Sequence, residues 1–142
     1  MALGLKTAGL RRLLVVEPPL QPHRAWPFLL FREQTPPGGE AFVWNVLGVS
    51  PTAQARRDYT LLLDGLTVPT LVLLGEVALG EPRTFQEMPS LVDEDSRERL
   101  RSHPRVEVRT IPAVGHNIPL LAADHFLDAM LRSCRAGLGI PA

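Results

Sequence analysis

Four histidines, one cysteine and a scatter of serines and acids supply the reactive side chains of this 142-residue sequence. His116 stands apart by its setting, "VEVRTIPAVGHNIPLL". Val106, Val108 and Ile111 read as a strand, Pro119 and the apolar residues after it open a helix, and His116 lies in the turn between them. In an open α/β sheet, ligands sit outside the carboxyl ends of the strands, so an imidazole here can face a crevice and move a proton. The plainer alternative is a histidine that caps the last helix or bonds a neighbouring carbonyl. His23, His103 and His125 show no His-x-x-x-His spacing with it, and Cys134 has no partner, so the sequence offers no metal site. Nor is there a phosphate loop, since "PPGGEAF" lacks the required lysine and Ser/Thr, and no G-x-G-x-x-G run follows a strand. No cofactor is implied.

A nucleophile for such an imidazole is hard to find. No G-x-S-x-G turn exists, and the nearest text is "GVSPT" around Ser50. The residue after a serine nucleophile must donate its backbone N–H to the oxyanion, and Pro51 has none. Ser50 reads instead as a helix N-cap. Cys134 falls on the apolar stripe of the last helix and reads as a small core residue.

Three apolar runs would position these groups: 12–17 "RLLVVE", 70–75 "TLVLLG" and 106–111 "VEVRTI". The first two are near-continuous, as in parallel strands covered on both faces, while the third alternates and suits a place nearer an edge. A helix is expected from Ser50 and Pro51 to Gly65, and another over 93–102, acids first and arginines last. The final helix, over about 120–135, carries Ala123, Phe126, Leu127, Met130, Leu131 and Cys134 as its expected buried stripe. The expected fold is α/β, with about three parallel strands flanked by helices in a single domain over 1–142. The first connection is long, rich in proline and glycine, and holds five of the eight aromatics: Trp26, Phe28, Phe31, Phe42 and Trp44. A connection like this is either a binding lid or a small satellite core.

Formal charge is zero, which leaves no electrostatic footprint for nucleic acid or an anionic membrane. The longest uncharged apolar run, "GLTVPTLVLLG", is too short for a bilayer, and the charged amino terminus is wrong for a signal peptide. With its single cysteine, the chain is expected in the cytoplasm.

In order and spacing these pieces resemble the carboxy-terminal half of an α/β-hydrolase. "LRRLLVVEPP" is similar to that family's sixth strand, "LLLDGLTVPTLVLLGE" to its seventh strand with the helix before it, and "TIPAVGHNIPLLAADHFLDAMLRS" to its eighth strand, histidine turn and last helix. The resemblance implies a cap-like insertion over 18–66, including the helix leading back to the sheet, whose five aromatics would wall a pocket for a small apolar, ester-like ligand. It also implies His116 as general base, oriented by an acid. The family's usual aspartate position, three residues after Gly75, holds Ala78, which leaves Glu76 first, then Glu17, then Glu81. In that family the nucleophile and five further strands come before "RLLVVE". The resemblance therefore implies a chain inactive alone, with the first-strand edge open to a homodimer or a companion chain.

Overall fold

The computed structural model describes residues 9–35, 37–80 and 88–139. Strands β1 (Leu13–Val16), β2 (Thr70–Gly75) and β3 (Val106–Ile111) form a parallel sheet in the order β1-β2-β3. The chain is an α/β protein. The helices are α1 (Phe31–Gln34), α2 (Glu40–Phe42), α3 (Glu94–Ser102), α4 (Ile118–Leu121) and α5 (Ala123–Leu138), with 3₁₀ turns at Pro22–Arg24, Trp26–Leu30 and Thr60–Gly65.

Alternation along each strand divides the core into two layers. Leu13, Val15, Val72, Leu74, Val106 and Val108 face Leu100 of α3, together with Leu20, Leu63, Leu66 and Val92. Leu14, Val16, Leu71, Leu73 and Ile111 face the other way, toward Ile118 of α4 and Phe126 and Ala129 of α5. The middle strand β2 is buried along its whole length, whereas β1 is only half-buried. Asp93 caps α3 by accepting from the Ser96 N–H at 2.9 Å, which explains why the acid-first segment starts there.

The two outer strands are protected differently. On β3, Arg109 pairs with Asp128 of α5 at 3.1 Å, and Glu107 pairs with Arg12 at 3.4 Å. Charges of this kind discourage edge-to-edge association. Strand β1 carries none. Leu13 and Glu17 donate their N–H groups to Pro69 and Leu73, so the backbone groups of Leu14 and Val16 point to the edge that no other described strand covers.

Two sequence expectations are corrected. Residues 51–59 are not helical, and only Thr60–Gly65 makes a 3₁₀ turn. This segment is drawn out by tertiary bonds, Ala55 N–H to Gly48 at 2.7 Å and Tyr59 N–H to Leu20 at 2.8 Å. Ser50 therefore caps no helix; its hydroxyl oxygen accepts from Ala53 N–H at 3.0 Å within a turn. The second correction concerns α5, which buries Ala129 and Ser133 rather than its larger side chains. Small residues let the helix axis approach the sheet closely, and Leu127, Met130, Leu131 and Cys134 are left exposed. Cys134 is a surface thiol, not a core residue.

Candidate functional site

The carboxyl ends of all three strands meet one loop, residues 88–91. Glu17 follows β1 with φ at 49°, a left-handed conformation that costs a non-glycine residue roughly 1 kcal/mol. That turn sends its side chain across the end of β2. One carboxylate oxygen accepts from Gly75 N–H at 2.5 Å. The other accepts from Ser90 Oγ at 2.8 Å and Leu91 N–H at 2.6 Å. Arg97 of α3 completes the cluster by donating to the Gly75 carbonyl at 2.6 Å and the Val92 carbonyl at 3.1 Å. Glu17, Ser90 and Arg97 are all buried. Burial raises the Glu17 pKa, while its amide and hydroxyl donors and the Arg97 charge oppose the rise.

His116 lies on the far side of the same loop. Its N–H donates to the Pro89 carbonyl at 3.1 Å, and its own carbonyl accepts from Ile118 N–H at 3.0 Å. Gly115 packs so closely that a Cβ there would overlap the Met88 carbonyl oxygen and come within 2.9 Å of Pro89 backbone carbons. Glycine is required by this approach of two backbones, not by an unusual φ. The imidazole is partly buried, and desolvation holds its pKa below the ordinary value of 6.5.

The structure does not bring this ring to an acid among the described residues. His116 Nδ1 is buried with no hydrogen-bond partner among those residues. The Glu76 carboxylate is exposed and accepts from Ala113 N–H at 2.9 Å instead. Glu17 spends both oxygens on Gly75, Ser90 and Leu91. Glu81 lies outside the described residues. Ser90 is fully buried with its hydroxyl committed to Glu17, so it offers no accessible nucleophile.

The five aromatics do not share a pocket. Phe28 is buried with Ala25, Val43, Leu47, Val49 and Leu91, and Phe31 stacks on it with ring centroids 6.4 Å apart. Trp26 is partly buried, whereas Phe42 and Trp44 face outward, the latter beneath the Arg57 guanidinium. The satellite-core alternative describes Phe28 and Phe31. No group of three or more His, Cys, Asp or Glu is placed to hold a metal ion among the described residues, and no helix there is long and apolar enough to cross a membrane.

Ser90 and Arg97 were not foreseen as parts of a site. A faint signal existed in Glu17, a lone acid closing an apolar strand, because a carboxylate in that place must find donors. The chemistry on offer is thus an imidazole held neutral and proton-accepting, on a turn fixed by a carboxylate-centred network.

The depressed His116 pKa has a defined sign. The folded state resists protonation, so the histidine's contribution is present above about pH 6.5 and is lost as pH falls through the folded value. Thermal unfolding is expected to show a larger acid-induced fall in stability for the wild type than for His116→Asn between pH 7 and pH 5. Parallel curves across that window would contradict a buried neutral imidazole.

The fold is similar to that of a thermophilic esterase from Thermogutta terrifontis, solved with malate bound. The likeness has a TM-score of 0.51 at 18% identity and covers 89% of this chain but only 56% of the esterase's own. No protein-family model and no curated protein matches the sequence. What the likeness establishes is the α/β fold of this chain.

Proposed function

We propose that this chain is the histidine-bearing part of an α/β-hydrolase-type protein acting on esters or similar small carbonyl compounds. His116 is the general base, and the nucleophile comes from polypeptide outside the described residues. The observation that carries this reading is the His116 turn. A partly buried imidazole, kept neutral, stands beyond the carboxyl end of β3 with its Nδ1 unpartnered among the described residues. An orienting acid and a serine hydroxyl are what such a ring lacks for acyl transfer. Glu76 would have to leave Ala113 to serve as that acid, which its exposure permits. The open β1 edge, with Leu14 and Val16 backbone groups free of β2, is where a companion carrying the nucleophile would add a strand.

Alone, the chain is expected to show no His116-dependent turnover. Loss of the nucleophile in a triad removes on the order of 10⁶ in kcat, and half of the oxyanion site would go with it. The measurement is hydrolysis of short p-nitrophenyl esters by the purified chain beside His116→Ala, with labelling by a fluorophosphonate. Equal, unsaturable rates and no labelling are expected. Saturable turnover abolished by His116→Ala, with one labelled serine, would overturn the inactivity.

A second reading, a non-catalytic binding or oligomerisation module that uses the open β1 edge and the cap aromatics, is favoured by Phe42 and Trp44, which face outward. It predicts that no companion restores turnover.

A further inference from the structure

Helix α5 carries two apolar stripes, and only one meets the sheet. Phe126, Ala129 and Ser133 face inward. About 140° further round lie Leu127, Leu131, Cys134 and Leu138. Their spacing is 4-3-4, the seam of a two-helix coiled coil. All four are exposed, Leu127 at 47%, Leu131 at 54% and Leu138 at 67%, with Cys134 between them. Asp124, one step before Leu127, ends the seam, and Gly139, left-handed at φ 71°, ends the helix.

We propose that this seam binds a second copy of the chain through antiparallel α5–α5 packing about a two-fold axis. The flanking residues choose both the occupant and the direction. In an antiparallel pair centred between Leu131 and Cys134, Leu127 meets the other copy's Leu138, and Leu131 meets its Cys134. On one flank Asp128 approaches the other copy's Arg135, and symmetry repeats that pair. On the other flank Met130 approaches Gly137, a protruding side chain against a position without one, beside Arg12 of that copy. Each flank is complementary to itself, which an isologous interface demands. In a parallel pair Asp128 would face Ala123 and Arg135 would face Met130, matching neither charge nor shape.

Asp128 is already held by Arg109 at 3.1 Å and Arg132 at 2.8 Å, so its carboxylate is fixed in place. A carboxylate has about four acceptor sites, which leaves capacity for one more guanidinium. The interface lies on α5 and does not depend on the reading of His116.

Cys134 is the only cysteine of the 142 residues, so a disulfide between cysteines of this sequence must join two copies. Sedimentation of the whole chain at high micromolar concentration is expected to show a dimer, and Leu131→Asp is expected to weaken it by at least about tenfold. That side chain is exposed, so the variant should unfold as the wild type does. Orientation is read by oxidation. Antiparallel packing places Cys134 opposite position 131, and offsets the two Cys134 residues by about 4.5 Å of helix rise. Leu131→Cys should therefore form inter-chain disulfides much faster than the wild type. A monomer, an assembly unchanged by Leu131→Asp, or equal oxidation rates in wild type and Leu131→Cys would each overturn the proposal.

Discussion

Glu17→Ala is expected to destabilise the protein by about 3–5 kcal/mol, the range for removing one partner from a buried charge network. The change strands three donors at once: the N–H groups of Gly75 and Leu91 and the Ser90 hydroxyl. It also leaves Arg97, 4% exposed, without the Glu17 charge it interacts with. For a chain of this size each kcal/mol moves Tm by a few degrees, so a fall of roughly 10 °C is expected in a thermal melt. Glu17→Gln is the control. It fills the same volume and keeps one acceptor, but turns an amide toward an N–H, so it should fall between wild type and alanine. A loss under about 1 kcal/mol in Glu17→Ala would mean that the 88–91 loop is held by other contacts.

The same variant tests a link between the two halves of the site. Glu17 fixes Ser90 and Leu91, and the adjoining Pro89 carbonyl holds the His116 N–H. If the loop loosens, water reaches the imidazole and its pKa should return toward 6.5, followed by NMR titration of the ring protons. A purely local loss of stability would leave that titration where it is.

How far the sequence anticipated this arrangement depends on what each feature rests on. The strands were legible because burial on both faces writes itself as an unbroken Leu/Val run, and β2 matches "TLVLLG" residue for residue. Helix α3 was legible because its cap and charge order are local. The segment 51–59 was not. Its residues favour a helix, but they offer no large apolar stripe, and bonds to Gly48 and Leu20 draw them out. For α5 the period was right and the phase was wrong. Hydrophobicity nominates Leu127 and Leu131, whereas close approach to the sheet selects Ala129 and Ser133, a preference that only packing reveals. His116 could be placed at a strand end from its neighbours alone. The partners of Glu17 could not, because Ser90 and Arg97 are more than seventy residues away in the chain.

Gly115→Ala is expected to cost about 3 kcal/mol and to disturb His116 more than any other single methyl group added to the chain. The added carbon would overlap the Met88 carbonyl and crowd Pro89, and both obstacles are backbone, so no side chain can rotate away. The turn and the loop must separate, and the first bond to suffer is His116 N–H to Pro89. Gly80→Ala is the matched control, since a Cβ there meets nothing nearer than 4.0 Å, and it should stay within about 0.5 kcal/mol. Gly75 faces the same crowded place from the opposite side, where a Cβ would run into the Gly115 and Val114 carbonyls. Gly75→Ala alone should therefore be as damaging. Once either methyl has forced the backbones apart, the second has room, so the double variant should cost clearly less than the sum. Strict additivity in denaturant melts would show that the two glycines answer to separate constraints, and that β2, the histidine turn and the 88–91 loop do not close on one another as a unit.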